Sequence, residues 1–243
     1  MGMIFALAGL AFAAPSDLAR QWARVEPTIR TRTEVPVPLS DDAVRTLLSG
    51  EVSAARFETD EGSWATGAIW IDAPIERVWL AINDGEHDPK DRTTLRVLDA
   101  PPPIRRVHLT LHLPFPIADR QWVSDALPNR ALYDVTEGRV WQRQWKLSDR
   151  SLAVVEDRGV WLLENRGAWT LLDTTDGTLL LFTVRTALGG LLPASITQGW
   201  AVRTLRSTLR DFGERAKKID RHYVGSHRQV ADPSGSIIRL FPR

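Results

Sequence analysis

Residues 194–220 constrain the fold more than any other stretch of this chain. Apart from Gly199 and Gly213 the segment lacks the two helix-breaking residues, Gly and Pro. Its apolar positions, Trp200, Val202, Leu205, Leu209, Phe212, Ala216 and Ile219, recur at three- and four-residue steps, the period of an amphipathic helix. At 1.5 Å per residue such a helix is about 40 Å long, enough to cross a whole sheet. One apolar stripe of that length needs an equally long apolar partner. The sequence before it supplies one.

From residue 51 the hydrophobic period is mostly two. EVSAARFE and SWATGAIWID read as paired strands about a Thr59–Gly62 turn. After a polar loop over 85–94, the segments LRVLDA, RRVHLTLHLPFP, DRQWVSDAL, ALYDVTEG, RVWQRQWKL, SLAVVED, GVWLLENRGAWTLLD and GTLLLFTVRTAL read as strands. Pro, Gly, Asn and Asp separate them, with a hairpin turn at Asp176-Gly177. Helices are few. Asp72 and Pro74 open one whose stripe is Ile75, Val78, Trp79 and Ile82, and which stops at Asn83-Asp84-Gly85. Ser40 caps a short helix carrying Val44, Leu47 and Leu48 and ending at Gly50. Asp17–Arg30 starts helical through Leu18, Trp22 and Val25; Pro27, Pro36 and Pro38 then break it into an extended connector.

This order resembles the START-like (SRPBCC) helix-grip superfamily, which takes in START domains, polyketide cyclase-like proteins and coenzyme Q-binding START-like proteins. GAIWIDAPIERVWLAIND resembles its strand–Ala-Pro–helix entry, and PFPIADRQWV resembles its P-x-S-x-R-D strand start, with Asp119 and Arg120 in reversed order. NRGAWTLL, DGTLLLFTV and GGLLPASI resemble the closing hairpin and the loop before the last helix. The resemblance covers roughly residues 45–220. It implies an α+β helix-grip fold: a curved antiparallel β-sheet wrapped around a long C-terminal α-helix, with a ligand cavity between them. It also implies an apolar ligand such as a sterol, phospholipid, quinone or polyketide. Residues 41–220 are the expected domain, with 14–40 as an N-terminal helix and connector and 221–243 as a tail.

In such a fold one face of each strand lines the cavity. Trp141, Arg143 and Trp145 share a face, whereas Val140, Gln142, Gln144 and Lys146 read as a solvent-facing set, so the former are placed inward. A buried Arg needs a carboxylate or a polar ligand group. Arg185, beside Leu179, Leu181 and Thr183, is a second candidate cavity cation. Arg120, sharing a face with Trp122 and Ser124, is a third by resemblance. Asp119, Asp125 and Glu164 are candidate partners for these arginines. Trp122 and Phe182 complete the expected wall, and Ile196 and Trp200 mark an entrance beside the Gly189–Pro193 loop. His108 and His112 share a strand face about 13 Å apart, too far for one metal, and read as solvated. Glu86, His87, Asp88 and Asp91 carry donors without a metal-site spacing.

Composition narrows the functions. The chain has 243 residues, a formal charge of +1 and no cysteine, so thiolate catalysis, disulfides and Cys-zinc sites are excluded, and nothing points to nucleic acid. Ten tryptophans give it unusually heavy apolar side chains. Residues 1–13 read as a cleaved export signal, with an apolar run from Met3 and a small-x-small Ala11-Phe12-Ala13 site, which predicts a periplasmic or envelope protein. The expected partner is a lipid or hydrophobic small molecule, with transient membrane contact, a monomeric chain, and neither cofactor nor metal. Three readings stand: a non-catalytic hydrophobe carrier, a polyketide cyclase/dehydratase-like enzyme pairing Arg143 with Glu164 or Asp125, and an interaction module whose cavity its own side chains fill.

Overall fold

The computed structural model describes residues 14–83, 93–152, 159–189, 194–221, 223 and 229–240, with backbone alone over 194–201. The expected export signal, the Glu86–Asp91 donor cluster and most of SLAVVED lie outside the described residues. Strands β1 (Ser53–Thr59), β2 (Gly62–Ile71), β3 (Thr93–Leu98), β4 (Arg105–Leu111), β5 (Arg120–Pro128), β6 (Val140–Leu147), β8 (Glu164–Thr174) and β9 (Gly177–Ala187) form one sheet in the order β1-β2-β9-β8-β6-β5-β4-β3. All these pairs are antiparallel; the two-residue β7 (Val160–Trp161) adds a parallel pairing to β5.

Helix α5 (Ala194–Lys218) lies along the concave face, as its stripe predicts: Leu205, Leu209 and Ala216 are buried. Two glycines set its height. A Cβ at Gly67 on β2 would stand 2.7 Å from the Leu209 Cδ1, and one at Gly213 would stand 3.4 Å from the Ile69 Cδ1. Helix α3 (Ile75–Asn83) shares this core through Ile75, Val78, Trp79 and Ile82, with Ile71, Trp141, Trp169, Leu171 and Leu180 beneath it. The result is the expected α+β helix-grip architecture.

Three expectations fail, each for a physical reason. Helix α1 (Leu18–Arg32) runs straight through Pro27, because its buried stripe of Leu18, Trp22, Val25 and Ile29 continues past the proline onto the convex face of the sheet. Tertiary burial there outweighs one lost backbone hydrogen bond. Residues 14–32 therefore pack onto the sheet. ALYDVTEG is not a strand: Arg130–Val135 is helix α4, started by the Asn129 side chain accepting from the Leu132 N–H at 3.1 Å. The face of β6 read as solvated is exposed only at Lys146; Val140 and Gln142 are buried and Gln144 is half-buried. Gln142, with no exposed surface, donates to the Thr170 Oγ1 (2.9 Å) and accepts from Asn129 (2.8 Å) and Gln144 (2.7 Å), while Gln144 also reaches Thr33 at the end of α1. Helix α2 (Asp41–Leu48) does begin at its Ser40 cap, as expected.

Trp145 lies flat over Gly167 of β8, so a Cβ at Gly167 would fall on both its indole and the Thr183 carbonyl. Gly167→Ala is expected to destabilise the protein by about 1–3 kcal/mol through overpacking against backbone, measured as a lower urea midpoint at unchanged slope.

Candidate functional site

Strand parity divides the sheet into two chemically different halves. On β9, β8 and β6 the concave positions Leu180, Phe182, Trp169, Leu171, Trp145 and Trp141 face α3 and α5. They fill that space themselves. Phe182 packs on Trp169 (4.1 Å between centroids) and on Trp145 (5.3 Å), and Phe212 of α5 meets Trp169 edge-on at 5.0 Å. Trp141, 5% exposed, is held between Trp79 and Tyr133 and donates to the Gly138 carbonyl at 2.8 Å. It is a core residue beneath α3.

Among the described residues the other half is only partly covered. The described part of α5 packs on β1 and β2, and α3 on β8 and β9. Of the concave positions of β3, β4 and β5, Leu95, Val97, Leu109, Leu111 and Trp122 keep accessible surface, Val97 at 38%, whereas Val107, Arg120, Ser124 and Ala126 are buried. The accessible apolar set is the candidate site. Of its residues only Trp122 stands among the expected site residues. The alternation in LRVLDA and RRVHLTLHL already placed the four aliphatics on one face of their strands.

Arg143 lies on the same face, on β6 opposite Pro128, separated from Trp122 by the buried Ala126 and Ser124. Its acceptors are neutral: it donates to the Asn83 Oδ1 and, at 3.2 Å, to the Ile82 carbonyl, so it caps the C-terminus of α3. Asn83 is oriented by its own donation to the Trp79 carbonyl at 2.8 Å. The Arg143 Nε is buried and has no hydrogen-bond partner among the described residues. Burial, with the charge of Arg105 added, pushes this guanidinium down to about 9. Ser124, 2% exposed on the same face of the sheet, likewise has an unpartnered hydroxyl among the described residues.

The other expected cations have different places. Arg185 lies on the convex face, because parity puts it with Leu179, Leu181 and Thr183 opposite to Phe182; it pairs with Glu164 at 2.9 Å. Arg120 is 2% exposed, and its guanidinium donates only to backbone carbonyls: Leu188 (2.9 Å), Gly189 (3.2 Å) and Ala118. It fastens β5 to the chain just ahead of α5. None of the three acids proposed as partners meets Arg143 or Arg120. Asp125 takes a bidentate bond from Arg106 (2.6 and 2.7 Å), which holds its carboxyl below the usual carboxylate range; Asp119 binds His112 at 2.8 Å. Asp125 and Glu164 are convex by register, so neither forms an acid–base pair with Arg143. His108 is buried at 2%, against the expectation that it is solvated: Trp161 stacks on it at 6.1 Å and Gln121 meets its Nε2 at 3.3 Å. Of Ile196 and Trp200, only the helical backbone is among the described residues. No group of three or more metal-ligating side chains occurs among the described residues.

No family model matches the sequence, and no curated protein matches it. Solved structures do match. Human StAR-related lipid transfer protein 5 superposes with a TM-score of 0.60 at 14% identity, over 83% of this chain and 97% of that one. The STAR-related lipid transfer protein (fragment 25–204) from Xanthomonas axonopodis gives 0.57 at 15% identity, over 75% and 98%. Human STARD10 gives 0.58 at 12% identity, over 86% and 82%. The chain has the START-like fold.

Within the START-like fold, Arg120 holds the approach to the long helix by carbonyls alone, so replacing it leaves those acceptors buried without a donor. Arg120→Met is expected to cost about 2–4 kcal/mol and to speed hydrogen exchange at the Leu188 and Gly189 amides, read by mass spectrometry. Unchanged exchange there would show that the clamp does not hold this segment.

Proposed function

We propose that the protein binds a lipid or other hydrophobic small molecule against the concave face of β3–β5, without catalysing its conversion. The observation that carries this reading is the partly exposed apolar set Leu95, Val97, Leu109, Leu111 and Trp122, inside a sheet whose other half is packed by helices. Burial of such surface contributes about 25 cal/mol per Å2 to ligand affinity, and Trp122 is its largest member. The lipid-transfer names of the structures sharing the fold agree with this reading. So does the placement of Asp125 and Glu164 on the convex face, which takes away the acid–base pair a cyclase-like reading relied on. The expected result is that organic extraction of protein purified from its own host releases a hydrophobe detectable by mass spectrometry. Trp122→Ala is expected to weaken binding of the neutral dye Nile red about tenfold. An extract empty of hydrophobes together with no dye binding would end the carrier reading.

Export and membrane contact complete the proposal. Removal of residues 1–13 would leave Ala14 as the first residue; its nitrogen already donates to the Leu47 carbonyl at 3.2 Å, so the new terminus would stay docked. At the end of the sheet where β5 begins, Phe115 is 97% exposed and Leu163 is 77% exposed. A Cβ at Gly189, ahead of α5, would lie 3.5 Å from the Leu163 Cγ, so the second tip adjoins the approach to the long helix. Apolar tips at that place suit transient contact of a monomer with a bilayer surface. Replacing Phe115 and Leu163 together by Ser is expected to abolish co-sedimentation with phosphatidylcholine vesicles while leaving Nile red binding intact. Equal sedimentation of the two proteins would remove the tips from the mechanism.

A further inference from the structure

We infer that docking of the Phe115 and Leu163 tips on an anionic phospholipid surface is controlled by the proton on His112. The inference rests on the reading of those tips as the membrane contact. His112 directly follows β4 and precedes Phe115 by three residues, within about 10 Å along the chain. Its two ring nitrogens tie it to β3 and to the start of β5. Nδ1 lies 2.8 Å from the Asp119 Oδ2, and Nε2 lies 2.9 Å from the Thr94 Oγ1. Asp119 in turn accepts the Leu113 N–H at 3.0 Å, and its backbone carbonyl accepts the Val160 N–H at 2.9 Å. Leu163 lies three residues beyond Val160, so the residue carrying this carboxylate is bonded to the roots of both tips.

The arrangement holds in either protonation state. A neutral imidazole donates from Nδ1 to Asp119 and accepts the Thr94 hydroxyl at Nε2; an imidazolium donates at both nitrogens, the hydroxyl turning to accept. What changes is charge. The bonds from His112 and from the Leu113 N–H hold the Asp119 carboxyl below the usual carboxylate range, so it stays ionised where histidine titrates. Both side chains are open to water, His112 at 44% and Asp119 at 35%. With His112 neutral, the tips flank a carboxylate matched by no cation among the described residues, and an anionic surface repels it. With His112 protonated, the pair carries no net charge. Docking on an anionic surface is therefore strongest below the histidine range and weakens as pH rises through it. By reciprocity, the surface favours the proton by the same factor as the proton favours docking. The other charged groups around His112 keep their charge or their partner. Arg96 of β3 faces His108 across the strands, Arg106 of β4 is bound to Asp125, and Arg120 donates to carbonyls. Val160 and Trp161 of β7 are neutral, and Glu164, beside Leu163, is paired with Arg166 and Arg185. His108, four residues back on β4 and about 13 Å away, is buried under Trp161.

Co-sedimentation of the full chain with two kinds of vesicle tests this: phosphatidylcholine alone, and phosphatidylcholine and phosphatidylglycerol in equal parts. The measurements are made at about pH 5.5 and about pH 7.5, on either side of the range where histidine changes charge. Binding to the anionic vesicles should be about fivefold stronger at the lower pH, the effect of one charge near such a surface. That difference should vanish in about 1 M salt, where charges are screened within about 3 Å. Binding to phosphatidylcholine alone should differ less than about twofold between the two pH values. His112→Gln keeps a neutral donor and acceptor at this place; it should remove the pH response on anionic vesicles and leave binding to phosphatidylcholine intact. Circular dichroism confirms the fold at both pH values; if His112→Gln does not fold, the salt dependence of the unaltered protein decides. Equal binding to anionic vesicles at the two pH values overturns the control by His112 while leaving the membrane contact intact. So does a pH response that persists in His112→Gln or in high salt. If neither vesicle sediments the protein at either pH, the membrane contact fails and this inference with it.

Discussion

The unequal covering of the sheet is the constraint on which the rest of the structure depends. Over β2, β9, β8 and β6 both faces are buried, with α3 and α5 on the concave side and α1 on the convex side. These strands carry apolar or hydrogen-bonded polar residues on both sides, down to the fully buried Gln142–Thr170 pair. Over β3, β4 and β5 the concave positions Leu95, Val97, Leu109, Leu111 and Trp122 stay apolar and accessible although the described helices stop short of them. Stability resides in the first half. That leaves the second free to keep a surface the fold does not need to cover.

Three arginines show how the same side chain serves different ends in this frame. Arg106 meets Asp125 in a bidentate pair near the surface, where solvent reduces the value of such a bond and the partner's charge is fully matched. Arg120 is buried and held by three carbonyls, a capping role by which one planar fork fastens several backbone segments at once. Arg143 is different from both. Its acceptors among the described residues are neutral, so they hold it in place without balancing its charge.

The sequence carried the frame better than the details. The long terminal helix, the Ala-Pro entry to α3 and the β8–β9 hairpin each have strong periodic or turn signals, and each stands where expected. The errors arose where burial, not local pattern, decides. Gln142 and Gln144 look solvated in one dimension; only the docking of α1 reveals them as a hydrogen-bonded floor. His108 likewise depends on Trp161, brought beside it by a two-residue parallel pairing that no period announces. Helix α4 is too short for a period and is marked by its Asn129 cap alone. Parity separated Arg185 from Phe182 in the sequence itself, since an odd and an even position on one strand cannot share a face. For the site, Arg143 and Trp122 were legible from their strand faces. The aliphatic wall became visible as a site only once the reach of α5 was known.

A cation met only by neutral acceptors among the described residues has an energetic consequence for the protein. Desolvation disfavours the charged form, as the lowered proton affinity of Arg143 records. Hydrogen bonds to Asn83 and Ile82 offset part of that cost, and an apolar side chain of similar volume would avoid it. Arg143 is thus held at the end of α3 by neutral acceptors that offset only part of its desolvation.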